Sequence, residues 1–74
     1  MNLANALAAA ADRLASSGIP EPRREASSLI ANAIDRDRVF LIAHPEYVLT
    51  EREAAAVDEF ITRRSAREPF QYIV

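Results

Sequence analysis

Apolar residues recur near the start of the chain with the spacing of one face of an α-helix. They fall at positions 3, 7, 10, 11 and 14, which predicts a helix over about residues 2–17. Gly18 follows this pattern and can adopt the left-handed conformation that ends a helix, while Ile19 is placed to pack back onto Leu14. A first helix with a sharply defined end is therefore expected.

A second helical pattern begins after two prolines that frame its start. Pro22 is tolerated in a first helical turn, because its missing N–H would have no helical partner there. Arg24 can pair with Glu21, three residues earlier. The helix should end near Asp35, and its apolar stripe comprises Ala26, Leu29, Ile30, Ala33 and Ile34.

A short third helix is expected after Asp37, whose side chain can cap residues 38–43. Four consecutive apolar residues within this segment could also, by periodicity alone, form a strand. We favour a helix because the chain offers no second strand for pairing. Pro45 then closes the segment.

The spacing of Thr50 and Glu53 is that of a capping box, which predicts a fourth helix running to about Ala66. Pro69 interrupts this helix, and residues 69–73 are expected to make one further turn. The fold class is therefore predicted as all-α, a small orthogonal helical bundle of about four to five helices. The residues expected on the inward face of the fourth helix are Ala54, Val57, Phe60 and Ile61.

Size and composition agree with a single helical domain. The 74 residues have a mass of 8.2 kDa, for which a folded surface of about 4,500 Å² is expected. Glycine occurs only once, which favours helix. Cysteine is absent, which excludes disulfides, thiol nucleophiles and thiolate metal sites. A net charge of −2 argues against a nucleic-acid-binding protein that gains its affinity by neutralising phosphates.

The absence of a membrane-length apolar stretch and of a signal peptide predicts a cytoplasmic protein. We expect this protein to be a monomer.

The sequence contains no arrangement typical of an active site. His44 is the only histidine, and Glu46 alone would not complete a metal site or a catalytic dyad, so a structural or solvent-facing role is expected. There is no glycine-rich phosphate loop, nucleophile elbow or dinucleotide fingerprint. We therefore predict no catalytic, cofactor-binding or metal-ligating residue in this chain.

Three arginines cluster near the end of the predicted fourth helix: Arg63, Arg64 and Arg67. They could complement the helix dipole, with Arg63 also paired to Glu59 one turn earlier. Alternatively, they could contact an acidic partner or a nucleic acid. The residues alone leave both interpretations open.

Three stretches together resemble a known family. They are residues 22–30 (Pro-Arg-Arg-Glu-Ala-Ser-Ser-Leu-Ile), 41–46 (Leu-Ile-Ala-His-Pro-Glu) and 63–73 (Arg-Arg-Ser-Ala-Arg-Glu-Pro-Phe-Gln-Tyr-Ile). In this order and spacing they resemble the N-terminal domain of the release-factor glutamine methyltransferases, the HemK/PrmC family. The third stretch is the most specific, because a pair of arginines followed after a short gap by Glu-Pro-x-x-Tyr-Ile is a hallmark of that family. The resemblance extends over essentially the whole chain.

The resemblance implies a two-domain enzyme, in which a helical N-terminal domain precedes a Rossmann-like methyltransferase domain that binds S-adenosylmethionine. Such enzymes act in translation termination, methylating N5 of the glutamine in the Gly-Gly-Gln motif of peptide chain release factors. Their Asn-Pro-Pro-Tyr motif and glycine-rich cofactor loop belong to the second domain, and neither occurs here. Residues 1–74 are therefore expected to be the substrate-recognition domain, with the methyltransferase domain outside this chain and no active site within it.

The resemblance also implies two partners for this domain, the release factor and the enzyme's own methyltransferase domain. The candidate contact residues are Arg63, Arg64, Arg67, Phe70 and Tyr72, which lie around the bend expected at Pro69. Two alternatives remain open at this point. The domain could be a purely structural accessory that contacts only its own catalytic domain, or a small helix-turn-helix module that binds nucleic acid. The short third helix and the lack of a basic recognition face argue against the second alternative.

Overall fold

Five helices form in the computed structural model, which describes residues 1–74. The helices are α1 (Leu3–Ser16), α2 (Pro22–Ala33), α3 (Arg38–Ala43), α4 (Glu51–Ser65) and α5 (Phe70–Ile73). The predicted all-α class is confirmed, and the third segment is a helix rather than a strand. The only strand-like feature is an isolated antiparallel bridge between Asn2 and Val48. None of the five helices is both long and apolar enough to span a membrane.

Three of the helices end in the same backbone motif, in which a left-handed residue follows the last turn. At the end of α1, Gly18 has φ of 77°, and the N–H of Ile19 donates to the Leu14 carbonyl at 3.0 Å. Ile19 and Leu14 are both buried, so the predicted helix end is confirmed. Helix α2 ends at Ala33, two residues before the predicted position, because Asp35 is the left-handed residue there with φ of 58°.

The helix starts follow the capping residues expected from the sequence. Asp37 accepts a hydrogen bond from the Phe40 N–H at 2.9 Å and so caps α3. In α4 the capping box is complete, because Thr50 Oγ1 accepts from the Glu53 N–H at 3.1 Å while Glu53 accepts from the Thr50 N–H at 2.9 Å. The Tyr47 hydroxyl also donates to the Glu53 carboxylate. Hydrogen bonding to the Thr50 backbone, and secondarily to Tyr47, lowers the pKa of Glu53.

The core lies between α1, α2 and α4, and all 16 buried residues are hydrophobic. The solvent-accessible surface is 4521 Å², close to the value expected for this mass. On α4, Val57 and Ile61 are buried as predicted and Phe60 is half-buried. The prediction for Ala54 is wrong, since it is exposed along an open groove between α1 and α4. The side chains with the least exposure are Leu14, Leu29, Ile30 and Ile61.

Hydrogen bonds at the two ends of α1 show that α1 and α4 run in the same direction. The Arg13 guanidinium of α1 donates to Asp58 at 2.9 Å and to Thr62 at 2.7 Å, both on α4. Near the chain start, the N–H of Leu3 donates to the Tyr47 carbonyl. The end of α4, the start of α2 and α5 therefore meet at the opposite end of the bundle, which we call the α5 end.

Candidate functional site

All five residues proposed as partner contacts lie at the α5 end. Arg63 and Arg64 occupy the last turn of α4, and Arg67 follows in the turn that leads to α5. Phe70 and Tyr72 belong to α5 itself. Residues 66–69 connect α4 to α5, and we call this turn the α4–α5 corner. The corner brings together the five residues, which are also close in sequence.

Arg64 is held by an ion pair that links α4 to α2. Its Nε donates to Oε1 of Glu25 at 2.6 Å and its Nη2 donates to Oε2 at 3.3 Å, which makes a two-point contact across 39 residues of sequence. The exposed fractions of the two side chains are only 17% and 20%. Nη1 of Arg64 also donates to the Glu68 carbonyl at 3.1 Å. Hydrogen bonding to Glu25 raises the pKa of this guanidinium, so it remains charged at any ordinary pH.

Arg63 contacts the segment that follows the corner. It forms an ion pair with the Glu68 carboxylate, and its Nη2 donates to the backbone carbonyl of Tyr72 at 3.1 Å. The expected pair with Glu59 is present at 3.7 Å, but Glu59 is largely exposed and this contact is the longest of the three. Hydrogen bonding to Glu68 raises the pKa of Arg63. Arg63 therefore bonds both to the turn and to the last residues of the chain.

Arg67 differs from the other two arginines because it forms no ion pair. Its φ of 73° makes it the left-handed residue that ends α4, and the N–H of Glu68 donates to the Arg63 carbonyl at 3.1 Å. The Arg67 side chain is exposed and passes close to Gly18, since a Cβ at Gly18 would lie 2.9 Å from Arg67 Nη2.

Helix α5 places its apolar side chains on two different surfaces. Ile73 is buried and Phe70 packs partly against the core, whereas the exposed fraction of Tyr72 is 71%. Val74 is also about half exposed, at 48%. Ile73 and Phe70 therefore stabilise the bundle, while Tyr72 and Val74 expose apolar surface at the α5 end.

The three arginines do not form a uniformly basic surface. Two of them are neutralised by carboxylates within the domain, and only Arg67 presents an unpaired charge. Sequence reasoning gave Glu25 no pairing role and missed Glu68 as a partner. Both lie in stretches that carried the family resemblance, but no local spacing connects Glu25 with a residue so far along the chain.

The surface has four shallow cavities, and two of them border the α5 end. The largest, about 360 Å³, lies between α1 and α4 and is lined only by polar and charged residues. No group of three or more metal-ligating side chains is present. His44 lies at the surface, with its ring 4.7 Å from that of Phe40 and its Nδ1 3.6 Å from Glu46. The α5 end thus remains the strongest candidate site.

Comparison with known proteins gives consistent similarities. A family model described as the PrmC N-terminal domain matches residues 5–74. A release factor glutamine methyltransferase from Koribacter versatilis is 40% identical over 73 residues, covering 99% of this chain and 26% of that protein. One from Cereibacter sphaeroides is 39% identical over 74 residues, covering 100% of this chain and 27% of that protein. A bifunctional methyltransferase from Rickettsia bellii is 39% identical over 57 residues, covering 77% of this chain and 10% of that protein.

The chain thus spans about a quarter of the length of these two release factor glutamine methyltransferases. No solved structure matches it with statistical significance.

Proposed function

Because the chain belongs to the PrmC N-terminal domain family, we propose that it is the domain with which a release factor glutamine methyltransferase recognises its protein substrate. The full-length protein transfers a methyl group from S-adenosylmethionine to the glutamine of the Gly-Gly-Gln motif in a peptide chain release factor. It acts in the cytoplasm, where translation terminates. This domain contributes recognition of the release factor and support for the catalytic domain, rather than the chemical step.

The residues of this chain do not fit S-adenosylmethionine. A methyltransferase of this kind holds the cofactor in a glycine-rich loop, and the one glycine here, Gly18, ends α1 next to the Arg67 side chain. The cofactor and the reacting glutamine of the release factor are therefore expected to bind at the methyltransferase domain. That domain is expected to follow the N-terminal domain in the full-length enzyme.

The exposed Arg67 is the observation that best supports a recognition role. The left-handed conformation costs a residue with a Cβ about 1 to 2 kcal/mol of conformational free energy, whereas glycine adopts it without that cost. Arg67 nevertheless places an unpaired charge at the α5 end, which also carries the exposed aromatic side chain of Tyr72. Arginine and tyrosine, together with tryptophan, are enriched among the residues that contribute most of the binding energy at protein interfaces. We assign direct contact with the release factor to these two residues, while Arg63, Arg64 and Phe70 hold the surface in place.

Arg67→Glu in the full-length enzyme should raise KM for the release factor by about five- to tenfold. The physical reason is the loss of one favourable charge contact and its replacement by a repulsive one, at a site remote from the chemistry. The value of kcat at saturating release factor should change little, because the transition-state contacts are elsewhere. Steady-state methylation kinetics with varied release factor measure both parameters.

Arg52→Glu provides a matched control, since Arg52 is an exposed arginine at the opposite end of α4. Its KM should remain that of the wild type. An unchanged KM for Arg67→Glu in a folded enzyme would instead favour the alternative that the domain only braces its catalytic partner.

A further inference from the structure

We propose that Arg63, Arg64, Glu25 and Glu68 form an arginine clamp, which fixes the angle between α5 and the bundle and thereby positions the catalytic domain for an intact release factor. The proposal rests on the proposed function, because it requires a methyltransferase domain joined beyond α5. It assigns to the paired arginines a positioning role that is distinct from the contact role of Arg67.

Helix α5 is too short to hold its own position. It contains four residues, and a single helical turn is unstable without external contacts. Its anchors are the buried Ile73, the half-buried Phe70 and the Arg63 contact to the Tyr72 carbonyl. Loss of the Arg63 contact would leave α5 held to the bundle by apolar contacts alone. These do not fix the orientation of the helix, because the hydrophobic effect has no preferred direction.

The clamp holds the corner between α4 and α5 from both sides. Arg64 joins the Glu68 carbonyl to Glu25 at the start of α2, so the turn is tied to a second helix. Arg63 joins the Glu68 side chain to the end of α5. Glu68 is therefore contacted by both guanidinium groups, and the corner cannot rotate without breaking at least one charged hydrogen bond.

Partial burial makes the Arg64–Glu25 pair stronger and more directional than an ordinary surface ion pair. With four-fifths of both side chains covered, the pair is screened by salt much less than exposed charges are. The planar guanidinium also fixes the relative orientation of its partners, which a lysine ammonium would not do. This geometry suits a rigid joint better than a partner-binding surface.

A rigid joint has a predictable consequence for substrate choice. An intact release factor must contact the N-terminal domain and the catalytic site together, so only enzyme molecules with the correct domain orientation bind it productively. A short peptide with the Gly-Gly-Gln sequence needs the catalytic site alone. Loosening the corner should therefore impair methylation of the intact factor and spare methylation of the peptide.

The test compares Arg64→Met and Arg64→Lys with the wild-type full-length enzyme. For Arg64→Met, kcat/KM on the intact release factor should fall about tenfold, while kcat/KM on the peptide stays near the wild-type value. Arg64→Lys keeps the charge but loses the two-point contact, so it should show a smaller fall in the same direction. The double variant Glu25→Arg with Arg64→Glu should restore part of the activity on the intact factor.

Arg13→Met is the matched control, because Arg13 forms an ion pair between α1 and α4 but no hydrogen bond or ion pair with any of the four clamp residues. It should leave both kcat/KM values unchanged. A second readout is the distance distribution between spin labels by pulsed electron paramagnetic resonance, with one label at Asp12→Cys and the other in the methyltransferase domain. This distribution should broaden in Arg64→Met and stay narrow in Arg13→Met.

Equal losses on the two substrates would overturn the clamp proposal, since they would indicate a general loss of folded enzyme. An unchanged distance distribution in Arg64→Met would also overturn it. Failure of the proposed function gives a different result: the wild-type enzyme would then methylate the peptide and the intact factor equally well. In that case the distance distributions alone would still decide whether the clamp fixes the corner.

Discussion

Leu29→Ala should lower the free energy of unfolding by about 3 to 4 kcal/mol, which is among the largest effects expected from a single truncation in this domain. Leu29 has no exposed surface and belongs to α2, the helix that packs against both α1 and α4. Its removal costs the transfer free energy of the lost methyl groups and adds the cost of the cavity left behind. Because a domain of this size has a total stability of roughly 4 to 10 kcal/mol, this change removes much of it.

Urea denaturation followed by far-ultraviolet circular dichroism measures this loss. Ile42→Ala is the matched control, since Ile42 is an aliphatic residue of α3 with an exposed fraction of 80%. The control should change the free energy of unfolding by no more than about 0.5 kcal/mol. Equal effects of the two substitutions would show that the inward face of α2 has been assigned incorrectly.

Ala26→Leu should lower the free energy of unfolding by about 2 to 3 kcal/mol for the opposite reason, which is overpacking. Ala26 is fully buried, and α1 and α2 make the most extensive helix–helix contact in the domain. Small side chains allow the two helices to approach closely, and a leucine would force them apart or take a strained rotamer. The buried alanines on these two helices are Ala6, Ala10, Ala11, Ala26 and Ala31.

Ala8→Leu makes the same chemical change at an exposed position of α1. Leucine and alanine differ little in helix propensity, so this control should be nearly neutral. Thermal unfolding of the two variants measures the difference between them. A neutral Ala26→Leu would mean that the contact between α1 and α2 is loose enough to admit a larger side chain.

The features predicted correctly from the sequence depend on residues close together in the chain. Gly18 ends α1, Asp37 caps α3, and Thr50 with Glu53 starts α4, each through hydrogen bonds within about one helical turn. Such signals act locally and do not require knowledge of how the helices pack.

The ends of α2 and α4 are harder to place from sequence. Each ends at a left-handed residue that has a side chain, Asp35 and Arg67 respectively, where a glycine would have given a clear signal. Ala54 was assigned to the core from its helical spacing, but spacing does not show whether another helix covers the start of α4. These differences reflect tertiary packing rather than local preference.

The candidate site depends both on residues close together in the chain and on the packing of distant helices. Residues 63–72 were grouped because they are close in sequence, and they do lie together at the α5 end. The pairing of Arg64 with Glu25 spans 39 residues and follows only from the packing of α4 against α2. Unless that pairing is known, the neutralised Arg64 cannot be distinguished from the unpaired Arg67.

Direct binding of a release factor at the α5 end is the most direct test of the proposed function. The measurement is a titration of the ¹⁵N-labelled 74-residue chain with unlabelled release factor, followed by two-dimensional amide NMR spectra. We expect a dispersed spectrum of a folded helical domain, in which the amide signals that shift or broaden belong to residues 67–74 and to Gly18 beside Arg67. A dispersed spectrum that stays unchanged in a large excess of release factor would contradict the recognition role, and a spectrum without dispersion would contradict the fold.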